Sequence, residues 1–135
     1  MSKNTKTKIA SGKRKTSVAK ATIKTGTGLV KINGVSLDVI TPKFAKLKIQ
    51  TPLILAKDEA KKVDINVRVS GGGISSSAEA CALAITKALV LQNKKLEKTF
   101  LEYDRQLIVA DVRRKEVVKP NRHGKARSKR QKSYR

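Results

Sequence analysis

The sequence predicts one small mixed α/β domain with cationic arms at both ends. Three stretches carry that prediction. Val63, Ile65, Val67 and Val69 alternate with Asp64, Asn66 and Arg68, the period of a strand with one buried face. Immediately after them, Ile74, Ala78, Cys81, Ala82, Ile85, Ala88 and Leu89 fall on one helical stripe. Asn33-Gly34 lies between two short β-prone pieces, and both central residues of a type I′ hairpin turn need positive φ. At 135 residues the chain is within the size of one domain.

Taken in order, residues 1–11 are rich in Lys, Thr and Ser and read as a flexible basic arm. The globular part is expected over 12–111 and an extended tail over 112–135. Gly12 to Lys24 mixes Val18, Ala19, Ala21 and Ile23 with Lys and Thr as a first strand, which Gly26 and Gly28 end. Pro42 and Pro52 set boundaries around short helices near Lys43–Leu47 and Pro52–Lys57. The alternating strand runs through Ser70-Gly71-Gly72-Gly73 into the long helix, for which Ser76 and Glu79 fit a capping box. A further helix over Lys95–Tyr103 packs Leu96, Phe100 and Leu101 along one side. Leu107–Asp111 reads equally as a short strand or a last helical turn. Beyond Asp111 the apolar pattern stops, and Pro120 and Gly124 keep the tail out of regular helix.

Charge defines the class of partner. Of 32 basic and 10 acidic residues, giving a net +22, eleven basic and only Glu116 among the acids lie in the last 23 residues. With so little apolar surface, the tail cannot offset backbone ordering at roughly 1–2 kcal/mol per residue, so alone it is solvated and self-repelling. Its natural partner is a polyanion bound by phosphate neutralisation and counterion release. A membrane is disfavoured: there is no lipidation motif, no secretory leader, and no run near the ~20 apolar residues of a span. One cysteine excludes an internal disulfide. Cys81 and His123 alone cannot make a four-ligand zinc site, so no metal or cofactor is expected, and a reducing cytosolic compartment is the default.

The triple glycine invites a sharper reading. GGGISSSA resembles the phosphate loop of the GHMP small-molecule kinases, but the chain is too short for that enzyme and lacks GxxxxGK[ST] and a carboxylate placed beside the loop. Two readings stay open for Gly71, Gly72 and Gly73: contact with an RNA backbone, or tight strand–helix packing. No catalytic constellation is present, so an enzyme is not expected. Phe44, Phe100, Tyr103 and Tyr134 are too few for an aromatic base-stacking platform.

The RNA-binding candidates are therefore the cations and their neighbours. Lys13, Arg14 and Lys15 open the first strand, and Arg68 lies on the alternating one. In the tail they are Arg113, Arg114, Lys115, Lys119, Arg122 and His123, followed by Lys125, Arg127, Lys129 and Arg130. At its end Tyr134 can stack on a base while Lys132 and Arg135 contact phosphates. A DNA-compacting basic protein is the alternative reading.

GKRKTSVA at 12–19, the Gly26/Gly28 pair leading to Ile32-Asn33-Gly34, SGGG at 70–73 and the closing GKAR…QKSYR together resemble the family of small-subunit ribosomal protein nine, in its archaeal and eukaryotic branch. The resemblance spans nearly the whole chain. It implies an α/β domain with a mostly antiparallel four-stranded sheet and helices on one face, of the same superfold as part of the GHMP kinases. It further implies binding to rRNA of the 3′ domain in the subunit head, neighbouring ribosomal proteins, and a tail whose last arginine, Arg135, approaches the anticodon stem-loop of peptidyl-site tRNA; Lys132 and Tyr134 are read as reaching the same tRNA. Two positions depart from the family pattern: Asp111-Val112-Arg113 stands for Asp-Pro-Arg, and Ala82 stands for an arginine.

Overall fold

The computed structural model describes residues 7–127. One sheet forms the centre, from β1 (Lys8–Arg14), β2 (Ser17–Thr25), β3 (Val30–Ile32), β4 (Val35–Ser36) and β5 (Val63–Ser70). The helices are α1 (Lys43–Ala56), the single turn α2 (Asp58–Lys61), α3 (Ile74–Gln92) and α4 (Leu96–Tyr103). Strand order is β1-β2-β5-β3-β4, antiparallel except for the β3–β5 pair. The sheet therefore has five strands rather than four. The Asn33-Gly34 turn has φ of 50° and 84° at its two residues, as a type I′ hairpin requires. Asn33 also ties the hairpin to β5, its side chain accepting from Val69 N–H and donating to Val69 O.

Side-chain alternation decides which face is covered. Ala10, Ala19, Ala21, Ile23, Val63, Ile65 and Val67 point to the helical layer and are buried. Their neighbours Lys20, Lys24, Lys31, Asn66 and Arg68 point the other way and are exposed. The helices cover one face only, with α3 lying across β1, β2 and β5.

The expected single strand over Gly12–Lys24 is instead two strands joined at Lys15-Thr16, with Arg14 paired to Ser17. Strand β1 starts at Lys8, so part of the expected arm belongs to the sheet; Ala10 and Gly12 supply the inward positions that a reading centred on charge overlooked. Pro52 does not end a helix either. Ala45, Ile49, Pro52 and Ala56 form the buried stripe of one continuous α1, and packing against α3 outweighs the backbone hydrogen bond that proline removes. The Thr51 hydroxyl donates to Leu47 O one turn back.

Helix α3 is apolar on nearly every side because the sheet, α1 and α4 surround it. Contrary to the expectation that no segment resembles a membrane span, its length and mean hydropathy of 1.4 meet that description, yet it is the core helix of this domain. Ile74, placed on the buried stripe by periodicity, is the first helical residue and is 60% exposed. Cys81 is buried, and burial pushes its thiol up to about 12. In α4 Phe100 is fully buried, Leu96 packs on the core and Leu101 is exposed. A short 3-10 turn at Arg105–Leu107 follows, and Leu107–Asp111 is neither strand nor α-helix.

Candidate nucleic-acid interface

The tail leaves the domain at an ion-pair cluster joining β1, α1, α3 and the chain after α4. Arg14 Nε donates to Glu79 Oε2 at 2.6 Å, and its NH1 lies 3.0 Å from Asp111 Oδ2, an ion-pair contact made without hydrogen-bond alignment. Lys48 Nζ donates to Glu79 Oε1 at 2.5 Å. Asp111 in turn takes Arg113 side-on, with Nε at 3.0 Å and NH2 at 2.6 Å from Oδ2, and accepts the Arg113 backbone N–H at 2.8 Å. The Lys48 hydrogen bond, then that of Arg14, holds the Glu79 carboxyl below its usual range despite partial burial. Arg113 does the same for Asp111, more strongly.

This cluster changes the standing of Arg14. Its side chain is only 15% exposed and is held by two carboxylates, so it is a packing and charge-balancing group rather than a free phosphate contact. Alternation explains the difference: Ala10, Gly12 and Arg14 share the inward face of β1, whereas Lys13 points out and Lys15 caps the hairpin, both exposed. Glu79, which the sequence suggested as a capping residue, is spent here. The cap is made one turn earlier, where Ser76 Oγ accepts the Gly73 N–H at 3.0 Å.

The glycine loop is filled by the protein's own hydroxyls. The buried Ser17 Oγ donates to Gly71 O at 2.9 Å and sits 2.8 Å from Ser76 Oγ. Gly71 and Gly72 have φ near +70°, and a Cβ on Gly72 would fall 1.9 Å from Ser17 Oγ. Of the two readings left open for Gly71, Gly72 and Gly73, this arrangement supports tight strand–helix packing.

The tail cations Arg113, Arg114, Lys115, Lys119, Arg122, Lys125 and Arg127, with His123, are all exposed. Glu116 accepts Lys119 at 3.2 Å and Arg127 at 3.0 Å, and Lys119 N–H donates to Lys125 O, closing a loop around Pro120 and Gly124. Such solvent-exposed pairs are weak and salt-screened, so a polyanion can replace them. Lys129, Arg130, Lys132, Tyr134 and Arg135 lie outside the described residues.

Arg68 stands on the open sheet face, the side to which Lys13 also points. Sequence reasoning missed its companions there, Lys20, Lys24 and Lys31. The signal was present as alternation, but it emerges only once three strands are laid side by side.

The fold and these surfaces define a basic α+β domain with an open cationic sheet face and a cationic extension rooted on its helical side. The sequence matches the family described as ribosomal protein S9/S16 over residues 12–135. It is similar to small ribosomal subunit protein uS9 of Thermoplasma volcanium, 46% identical over 129 residues that cover 94% of this chain and 97% of the relative. The corresponding protein of Thermoplasma acidophilum is 47% identical over 94% of this chain and 99% of its own. That of Methanococcus maripaludis strain C7 is 45% identical over 92% and 95%. The chain belongs to the ribosomal protein S9/S16 family.

Proposed function

We propose that the chain is a structural, non-catalytic constituent of the small ribosomal subunit in the cytoplasm. It binds rRNA of the subunit head, in the 3′ domain, beside neighbouring ribosomal proteins, and its tail extends to the anticodon stem-loop of peptidyl-site tRNA. The carrying observation is the run of exposed cations from Arg113 to Arg127, rooted at the Asp111 cluster. These groups can neutralise phosphates along an RNA path, supplying position and affinity rather than base-by-base reading. Lys13 and Lys15, exposed near the first hairpin, add to the same electrostatic attraction. Lys132, Tyr134 and Arg135 are assigned to tRNA, the tyrosine stacking and the cations meeting phosphates.

Sedimentation at moderate salt tests the assembly role. The protein is expected to co-migrate with small subunits, and free protein at the top of the gradient, or equal affinity for duplex DNA, overturns it. Removing Lys132 to Arg135 is expected to leave assembly intact and weaken peptidyl-site tRNA binding. Unchanged tRNA affinity removes the decoding role from those residues.

A further inference from the structure

We propose that the open face of the sheet is a second RNA-binding surface that takes the sugar-phosphate backbone of a helical RNA segment. The protein would then join two RNA elements, one on this face and one along the tail. The inference rests on the rRNA-binding reading above and adds to it a site and a mode of recognition.

Four cations border the groove on this face with no ion-pair partner among the described residues: Lys20 and Lys24 on β2, Lys31 on β3 and Arg68 on β5. Lys20 and Arg68 are directly opposed across the β2–β5 pair, and like charges at opposed positions repel. Lys24 is opposed to Asp64, the face's one carboxylate, but Asp64 is already engaged. Its Oδ1 accepts the N–H groups of Leu29, Thr27 and Gly28 at 2.9, 2.9 and 3.1 Å, and those bonds hold the carboxyl below its usual range. With Asp64 ionised, four cations against one carboxylate still leave the face with a net positive field.

The shape and chemistry narrow the partner. The cations border an open groove of about 590 Å³ with Thr22 and Asn66 between them, a hydroxyl and an amide able to bond phosphate or ribose oxygens. No aromatic side chain lines it, so bases cannot stack there as they do on sheet-type single-strand readers. Exposed Ile9 and Leu29 also line the groove, but its four cations with Thr22 and Asn66 suit phosphates and 2′-hydroxyls displayed across the minor groove of an RNA helix. An acidic protein segment would also be attracted, but the face lacks the aromatic or buried anchor that gives protein partners their affinity. The tail root lies behind the sheet, since Arg14, its anchor, points to the helical side. The two surfaces therefore face different RNA segments.

Hydroxyl-radical footprinting of small-subunit rRNA with full-length protein tests this. The parent should protect two separate tracts. The triple variant Lys20→Gln, Lys31→Gln, Arg68→Gln should lose one, in a base-paired segment, and keep the other, while a full-length variant with Arg113, Arg114 and Lys115 changed to Gln should show the reverse. The slope of log affinity against log salt should fall by roughly 2–3 for the triple variant, at about 0.9 per phosphate contact. The thermal midpoint should not fall, because the Lys20–Arg68 repulsion is relieved, and Arg68→Lys should retain the protection. Unchanged protection and slope overturn the proposal. So does loss confined to unpaired bases, or crosslinking of the sheet face to a protein with RNA protection unaltered. A parent that protects no rRNA is a different result, because it removes the underlying rRNA-binding reading as well.

Discussion

Gly12 shows how much one missing methyl group decides in this fold. A Cβ there would lie 2.3 Å from Ala80 O and 2.7 Å from Ala84 N, backbone atoms of α3 that cannot move aside alone. Gly12→Ala should therefore cost about 1–3 kcal/mol, the usual range for overpacking, read as a drop in the urea midpoint at constant slope. Gly73 is the control: a Cβ there meets nothing within 4 Å, its φ is −101°, and Gly73→Ala should change stability by no more than about 0.5 kcal/mol. Sequence alone marks both simply as glycines beside basic or serine-rich stretches. Only the distance to α3 tells them apart.

Between elements, Glu79 bridges β1 and α1 from its place on α3. Its carboxyl is held below the ordinary value near 4.5, first by the Lys48 hydrogen bond. A depressed folded-state pKa contributes stability that is complete above the unfolded-state value and is lost as pH falls through the folded-state value. Urea midpoints measured against pH should thus decline below about pH 4.5 in the parent. Glu79→Gln should be less stable at pH 7, by at most about 1 kcal/mol since the group is partly exposed, and should decline less in acid. Asp111 and Glu116 are shifted in the same direction, so the difference between the two curves isolates Glu79. Helix α3, which carries Glu79, was legible from periodicity, whereas β1 as a separate strand and the full length of α1 were not. Nor was their meeting at Arg14, because the four groups come from positions 14, 48, 79 and 111 and no local pattern connects them.

Across the whole molecule the net charge of +22 sets the behaviour toward RNA. With six to ten phosphates neutralised by the tail and the sheet face together, affinity for small-subunit rRNA should fall by roughly 10³–10⁵ between about 50 and 200 mM salt. Filter binding across that range checks it, and a nearly flat dependence would mean that far fewer cations reach phosphate. The exposed tail pairs at Glu116 do not oppose such binding, since their exchange for phosphate costs little.

The sequence by itself determined the single α/β domain, the Asn33-Gly34 hairpin, the strand–glycine–helix unit, the cationic extension and the family resemblance. Each follows from short-range periodicity, turn chemistry, composition or ordered motifs. Tertiary structure decided the rest. It split the first strand at Lys15-Thr16 and carried α1 through Pro52, because burial against α3 outweighed a local rule. It turned Arg14 inward while leaving Lys13 outside, since alternation has a direction only when a helix covers one face. It also gathered Lys20, Lys24, Lys31 and Arg68 onto one open surface. Strand order and register, set by the burial of Ile23, Ile65 and Val67 on the other side, are what bring those scattered charges together.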